Sequence, residues 1–264
     1  MKIAISGKGG VGKSTVAGTL SLLWAAAGRR VLAVDADPDA NLASALGLPA
    51  ELRARVRTIA QERALIEERT GAKVRQFGQM FKLNPEVADI AEHYAVRHAG
   101  VDLLVLGAVP RAAGGCACPE SVLLKSLVLH LVLEPGDNVV LDMEAGIEHL
   151  GRGTAMGVDL MMAVVEPGRR SLETAHRILK MAGDLGVRRF SVVLNKSDAP
   201  EKDAAWVAGE FGPGTLLGVI PWDTRIAQAD RDGCSLPDLD QPDLLVPFQR
   251  IQMNLDSLSQ EETK

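Results

Sequence analysis

The sequence is short of the features that mark several classes of protein. Three cysteines among 264 residues, an odd number, argue against a disulfide framework, and no long basic block accompanies the net charge of −5. Nucleic acid is therefore not an expected partner. No apolar run approaches the roughly 18 residues that a membrane span needs, and the first residues are strand-like, unlike a signal peptide. We expect a cytoplasmic protein with no membrane partner.

The sequence is rich in apolar, β-branched runs, and each run precedes a helix-like stretch. The runs occupy residues 2–6, 30–35, 101–109, 138–143, 159–166, 190–195 and 216–221. Continuous hydrophobicity of this kind is typical of strands buried on both faces. The sequence therefore predicts an α/β fold, a doubly wound and mostly parallel sheet flanked by helices, with ligands beyond the carboxyl ends of the strands.

Residues 49–100 interrupt this alternation and carry more charge. We expect helices outside the sheet there, with a short strand near residues 77–83. Charged helices usually present a solvated face, and a docking surface is the alternative interpretation. A closing helix is predicted over residues 244–258. We thus expect one domain over residues 1–264, with a helical charged insertion around 49–100.

A glycine-rich loop follows the first run. Gly7 and the string Gly12-Lys13-Ser14 have the spacing of a P-loop, ahead of a helix predicted over residues 13–27. Glycines let consecutive backbone N–H groups surround a β-phosphate, because a Cβ would block the required conformations. Lys13 adds a charge for the β- and γ-phosphates, and Ser14 adds a hydroxyl for Mg²⁺. The predicted triphosphate-binding residues are Gly9, Gly10, Val11, Gly12, Lys13, Ser14 and Thr15.

Lys8 is a second cation at the entrance of this loop, where an ordinary P-loop has no use for one. The string from Lys8 to Thr15 resembles the deviant P-loop of the ParA, MinD and nitrogenase iron-protein ATPases. In that family the first lysine reaches across a dimer interface to the partner's nucleotide. The resemblance therefore implies a nucleotide-dependent homodimer and a catalytic role for Lys8, and the plain alternative is a lysine that faces solvent.

Carboxylates follow two of the predicted strands. Asp35, Asp37 and Asp39 end the second strand, and clustered acids would repel a triphosphate unless they hold Mg²⁺ or orient water. The segment resembles the first switch of the family, which implies that Asp37, before Pro38, positions the attacking water. Asp39 is the second candidate, and an acidic turn is the plain alternative. Asp142 ends the strand at 139–142 as a Walker-B ligand of Mg²⁺, and residues 143–148 resemble the second switch.

The string Asn195-Lys196-Ser197-Asp198 leaves the base open. Asn-Lys-x-Asp is the pattern with which GTPases read guanine, whereas related ATPases use the asparagine and the backbone after a later strand to contact adenine. We expect Asn195, Pro221 and Trp222 to bind the base of ATP or ADP, because Lys8 and the second switch point to the ATPase branch. GTP is the alternative, since the guanine pattern is fully matched.

Two cysteines, Cys116 and Cys118, lie in one loop after the central strand. Pro119 suits the first position of the next helix, which puts Cys118 at the cap, where the helix dipole favours a thiolate. Two thiolates are an incomplete tetrahedral site, and a twofold dimer would supply four for Zn²⁺ or another thiophilic divalent ion. A small buried pair and a redox pair are the alternatives. Cys234 is expected to be an isolated thiol.

Together, the P-loop with Lys8, the Cys116-x-Cys118 pair and the run from Asp142 to Gly153 resemble the CooC type of nickel-insertion ATPase, across essentially the whole chain. That family matures carbon monoxide dehydrogenase. The resemblance implies that ATP-driven dimerisation assembles a four-cysteine Ni²⁺ (or Zn²⁺) site, and that hydrolysis releases the metal to the dehydrogenase. Glu148 and His149 are candidates for coupling nucleotide to metal, although salt-bridged or solvent-facing roles are the simpler reading.

Three other functions compete with this one. A paralogue that serves acetyl-CoA synthase would carry nearly the same motifs. A positioning or partitioning ATPase would usually end in a basic amphipathic helix, whereas residues 255–264 are acidic and polar. An electron-transfer protein of the nitrogenase iron-protein kind needs cluster-ligating cysteines from two separate loops, and here the two cysteines share one.

Overall fold

The computed structural model describes residues 1–74, 76, 78–107, 118–131, 136–144 and 157–260. Eight strands in these ranges form one sheet in the order β3-β4-β2-β5-β1-β6-β7-β8. The strands are β1 Lys2–Gly7, β2 Val31–Asp35, β3 Val96–His98, β4 Val101–Val105, β5 Asn138–Asp142, β6 Leu160–Val165, β7 Arg189–Ser197 and β8 Leu216–Pro221. All neighbouring pairs are parallel except β3 with β4.

Helices cover both faces of this sheet. They are α1 Lys13–Ala26, α2 Leu42–Ala45, α3 Ala50–Arg53, α4 Arg63–Thr70, α5 Ile90–Tyr94, α6 Pro119–His130, α7 Arg169–Asp184, α8 Pro200–Phe211, α9 Thr224–Asp232 and α10 Pro242–Gln260. Buried side chains of α4, α6, α7 and α8 pack in one core cluster, and those of α1, α9 and α10 pack in a second. The prediction of a doubly wound, mostly parallel sheet is confirmed.

The edge strand β3 corrects one expectation. The strand predicted near residues 77–83 does not form over the described residues 78–83, which are turns and irregular backbone. β3 instead pairs antiparallel with β4, with His98 opposite Val101. The two-residue connection, Ala99 and Gly100, has φ of 46° and 82°, the left-handed conformation of a tight hairpin turn. The pairing therefore depends on this turn, which the charge pattern of the segment did not reveal.

The closing helix α10 extends two residues beyond its predicted bounds at each end. It is fastened to the sheet and to α1: Asn254 Nδ2 donates to the Leu217 carbonyl at 2.7 Å, and Trp24 Nε1 donates to Asp256 Oδ1 at 3.1 Å. A Cβ on Gly218 would come within 2.6 Å of Ile251 Cγ1, so the strand carries glycine where the helix approaches. Within the described ranges, none of the helices is sufficiently long and apolar to cross a bilayer.

Candidate nucleotide site

The phosphate loop leaves the carboxyl end of β1 and enters α1. Gly10 and Gly12 have φ of 76° and 95°, a left-handed conformation that L side chains rarely adopt, and Gly12 is the N-cap of α1. Close contacts add a second requirement for glycine. A Cβ would lie 2.5 Å from the Val164 carbonyl oxygen at Gly7 and 2.3 Å from Asn195 Nδ2 at Gly12. The glycine spacing in the sequence thus reflects both backbone conformation and packing.

Lys13 and Asp37 meet at the start of α1. Lys13 Nζ lies 3.3 Å from Asp37 Oδ2, and both side chains are buried. Asp37 Oδ1 accepts the backbone N–H of Asp39 at 3.1 Å, while the Asp39 side chain is exposed. Of the two carboxylates considered for the attacking water, the structure brings Asp37 to the P-loop lysine.

Asp35 anchors the loop that carries Asp37. It is fully buried at the end of β2, and its carboxylate accepts the backbone N–H of Leu42 at 2.9 Å and of Asp37 at 3.2 Å. Burial, followed by the charge of Asp142 opposite it on β5, raises the pKa of Asp35 to about 7. Sequence reasoning had counted Asp35 among the clustered acids without a role, and the string Asp35-Ala36-Asp37 was the signal for this turn.

Asp142 ends β5 beside the loop and has no exposed surface. Burial raises the pKa of its carboxyl to about 6, although Ser14 and Lys13 oppose the shift. Neither oxygen has a geometrically sound hydrogen bond within the described part of the chain. A buried carboxylate with free lone pairs, beside the P-loop hydroxyl of Ser14, has the hard oxygen donors that Mg²⁺ prefers. These residues therefore fit a nucleotide-bound Mg²⁺.

A cavity of about 340 Å³ opens at this edge of the sheet. Its lining includes ten of the predicted residues: Gly9, Gly10, Gly12, Lys13, Ser14, Thr15, Asp37, Asn195, Pro221 and Trp222. Val11 and Asp142 are buried behind it, and Lys8 is exposed outside its lining. The lining also includes residues that sequence reasoning missed: Asn41, Glu144, Lys196, Asp223, Ile226, Ala227 and Asp230. Glu144 and Asp223 lie two residues beyond the ends of β5 and β8, which was the available signal, whereas Lys196 lies in β7 and Ile226, Ala227 and Asp230 lie in α9.

The residues that are candidates for binding the base differ in their contacts and in their position relative to the cavity. Asn195 Nδ2 donates to the Val11 carbonyl at 2.8 Å, so one of its two amide N–H groups is bonded to the P-loop. Asp198, the residue that would read guanine, is exposed and absent from the cavity lining. Trp222 lines the cavity with half of its surface exposed. A flat aromatic surface is thus available beside the phosphate loop, and stacking on it would not distinguish adenine from guanine.

Cys118 is the N-cap of α6, and Pro119 begins the helix, as the sequence predicted. The backbone N–H of Ser121 donates to Cys118 Sγ at 3.4 Å, and Ser121 Oγ lies 3.1 Å from the same sulfur. No cluster of three metal-binding side chains occurs among the described residues. Cys116, and the second-switch residues Glu148 and His149, lie outside them. Cys234 is exposed, with its thiol 3.8 Å from the Asp232 carbonyl.

Comparison with known proteins gives this site a context. The family description "CobQ/CobB/MinD/ParA nucleotide binding domain" matches residues 2–236. The chain is 48% identical, over 90% of each chain, to the carbon monoxide dehydrogenase accessory protein CooC of Rhodospirillum rubrum. It is 42% identical to an uncharacterised ATP-binding protein of Methanocaldococcus jannaschii, over 87% of this chain and 88% of that one.

Among solved structures, the septum site-determining protein MinD of Pyrococcus horikoshii, in complex with Mg-ADP, superposes with a TM-score of 0.68. The alignment covers 98% of each chain at 22% identity, so this likeness concerns the fold. One fold can serve different functions, so the relatives in sequence, and not this structural likeness, narrow the activity.

Proposed function

The chain belongs to the CobQ/CobB/MinD/ParA nucleotide-binding family and is an ATPase, and we propose that it delivers nickel during the maturation of carbon monoxide dehydrogenase. The observation that carries this proposal is the 48% identity to CooC over 90% of both chains. The proposed cycle has three parts: ATP-dependent dimerisation, a metal site shared between protomers, and release of the metal on hydrolysis.

In the proposed nucleotide chemistry each of five side chains has one task. Without nucleotide, Lys13 Nζ lies 3.3 Å from Asp37 Oδ2. When the triphosphate binds, its β- and γ-phosphates take the place of Asp37 beside the Lys13 ammonium. Ser14 and Asp142 would hold Mg²⁺, which would neutralise charge at the transferring phosphate. Asp37, released from Lys13, orients the attacking water. Lys8 is exposed and free to reach a partner's nucleotide, in keeping with the proposed homodimer.

The metal site uses Cys116 and Cys118 from each of two protomers, with Ni²⁺ or Zn²⁺ as cargo. Cys118 supports this assignment because its sulfur lies at the N-terminus of a twelve-residue helix and accepts the Ser121 N–H, which fixes the position of one sulfur ligand. Four sulfurs satisfy a tetrahedral divalent ion, whereas two leave it half coordinated.

The topology offers a route between the two sites. The loop with both cysteines starts beyond the carboxyl end of β4, and β4 is paired with β2, whose last residue is Asp35. Leu106, just past β4, donates its N–H to the Asp35 carbonyl at 2.8 Å. The segment that carries Asp37 is therefore adjacent to the start of the cysteine loop, so a movement of that segment on triphosphate binding would reach the cysteine loop directly.

Two other functions are weaker. Maturation of acetyl-CoA synthase would use the same cycle with a different client. A positioning or partitioning role has weaker support, because the MinD structures are near 20% identical to this chain and a chromosome-partitioning ATPase of Thermus thermophilus is 28% identical, against 48% for CooC. The closing helix also argues against it, because α10 buries Leu244, Phe248, Ile251 and Leu255 against the domain and does not offer them to a surface.

Metal stoichiometry tests the shared site. We expect one divalent ion per two chains at saturation, and metal-promoted dimerisation without nucleotide, measured by competition with a chromophoric chelator and by light scattering. Cys118→Ser should remove both effects while leaving ATP binding intact, because the P-loop belongs to another strand end. Cys234→Ser is the matched control and should change neither.

One tightly bound ion per monomer, or full metal retention in Cys118→Ser, would show that the site is not shared. The client is tested separately. Nickel-loaded protein with ATP should activate nickel-free carbon monoxide dehydrogenase, and a response only from acetyl-CoA synthase would transfer the proposal to that client.

A further inference from the structure

Lys196 makes an unusual contact with the phosphate loop. It stands near the end of β7 with φ of 58°, a left-handed conformation uncommon for a lysine, and its Nζ donates to the Gly10 carbonyl at 2.5 Å. Asn195, one residue earlier, donates to the Val11 carbonyl at 2.8 Å. Two adjacent side chains of β7 therefore hold two adjacent carbonyl groups of a loop more than 180 residues away in sequence.

Holding a carbonyl also orients the next N–H group. In a trans peptide the C=O of one residue and the N–H of the next lie in one plane and point in opposite directions. Lys196 thus orients the Val11 N–H, which closes a turn on the Lys8 carbonyl at 3.3 Å. Asn195 orients the Gly12 N–H in the same way. The loop is organised before any phosphate arrives.

We propose that Lys196 is a positioning residue of the phosphate loop, and that the Asn195-Lys196 pair acts as a brace for that loop and not as part of a guanine reader. Three observations support this proposal: one N–H of the Asn195 amide is bonded to the P-loop, Asp198 is exposed, and Asp198 is absent from the cavity lining. The left-handed backbone of Lys196 is what turns its side chain back toward Gly10, so the strain serves the contact.

The brace predicts a specific pattern of affinities. Without the brace, part of the binding free energy is used to order the phosphate loop. Every nucleotide that has a β-phosphate should therefore lose the same amount of affinity. Because this hydrogen bond from a charged donor is exposed and solvent weakens it, its loss corresponds to roughly a three- to tenfold change in Kd. We expect Lys196→Asn to weaken ADP, ATP and GTP by the same factor. Asn tolerates a left-handed backbone and is too short to reach Gly10.

The experiment is calorimetric titration of each Mg-nucleotide into the full chain, without metal cargo or client. Its outcome is therefore independent of the nickel proposal. Lys196→Gly removes the same ammonium and relaxes the backbone, so it should reproduce the loss even if Lys196→Asn folds poorly. Lys202→Asn makes the same charge change at an exposed position of α8 outside the cavity and should bind as the wild type does. Amide exchange of residues 8–12 should accelerate only in the Lys196 variants.

Three results would overturn the proposal. Unchanged ADP affinity in both Lys196 variants would show that the contact does not organise the loop. A larger loss for ATP than for ADP would indicate direct contact with the γ-phosphate. A changed ratio of ATP to GTP affinity would make this segment a base reader after all.

Discussion

Asp142→Asn should stabilise the nucleotide-free protein while impairing its function. The folded structure buries Asp142 completely, and its pKa rises from 3.8 to about 6. At pH 7 the charged carboxylate therefore lowers the free energy of unfolding by about 3 kcal/mol relative to a carboxyl with an unshifted pKa. An asparagine amide removes the charge but remains buried without a partner, which costs about 1 to 2 kcal/mol. The expected net gain is about 1 to 2 kcal/mol.

The pH dependence follows from the same shift. Because the folded pKa is the higher one, stability associated with protonated Asp142 is complete below about pH 4 and is lost as the pH rises toward about 6. Asp35 adds a loss of the same sign up to about pH 7. Wild type should therefore become less stable between pH 4 and 7, and Asp142→Asn should show a shallower decline.

Urea unfolding without Mg²⁺ or nucleotide measures both effects. Asp159→Asn is the control: the charge of Asp159 strengthens the hydrogen bond that it accepts from the Lys2 N–H at 2.7 Å and attracts the Lys2 ammonium, so removing that charge should lower the free energy of unfolding. Asp142→Asn should also lose the part of its ADP affinity that depends on Mg²⁺. An Asp142→Asn protein that is no more stable than wild type at pH 7 would refute the reasoning that this buried charge is uncompensated.

Two further predictions concern the loop chemistry. Lys13→Ala should abolish triphosphate binding, because it removes the cation nearest the transferring phosphate; equilibrium titration with ATP checks this, and wild-type affinity would contradict the P-loop assignment. Asp37→Ala should retain ATP binding and dimerisation while slowing phosphate release in steady-state assays at least tenfold, since its proposed task is to orient water. If Asp39→Ala slows turnover and Asp37→Ala does not, the roles of the two carboxylates are reversed.

Local patterns in the sequence determined much of this protein. The P-loop spacing, the apolar runs and the Cys118-Pro119 cap each depend on residues within a few positions of one another, so strands, helices and the phosphate loop followed from them. The edge strand β3 was missed because its pairing needs the left-handed turn at Ala99 and Gly100, and charge in the segment suggested only helices.

Tertiary structure decided which of several equivalent side chains could do which task. In the sequence Asp35, Asp37 and Asp39 are three similar carboxylates; in the fold one anchors a turn, one meets Lys13 and one is exposed. The string from Asn195 to Asp198 matched a guanine reader, yet its first two side chains are bonded to the phosphate loop. Hydrogen bonds and burial depend on neighbours that folding brings together from distant positions in the chain. A pattern of nearby residues in the sequence therefore does not reveal these contacts.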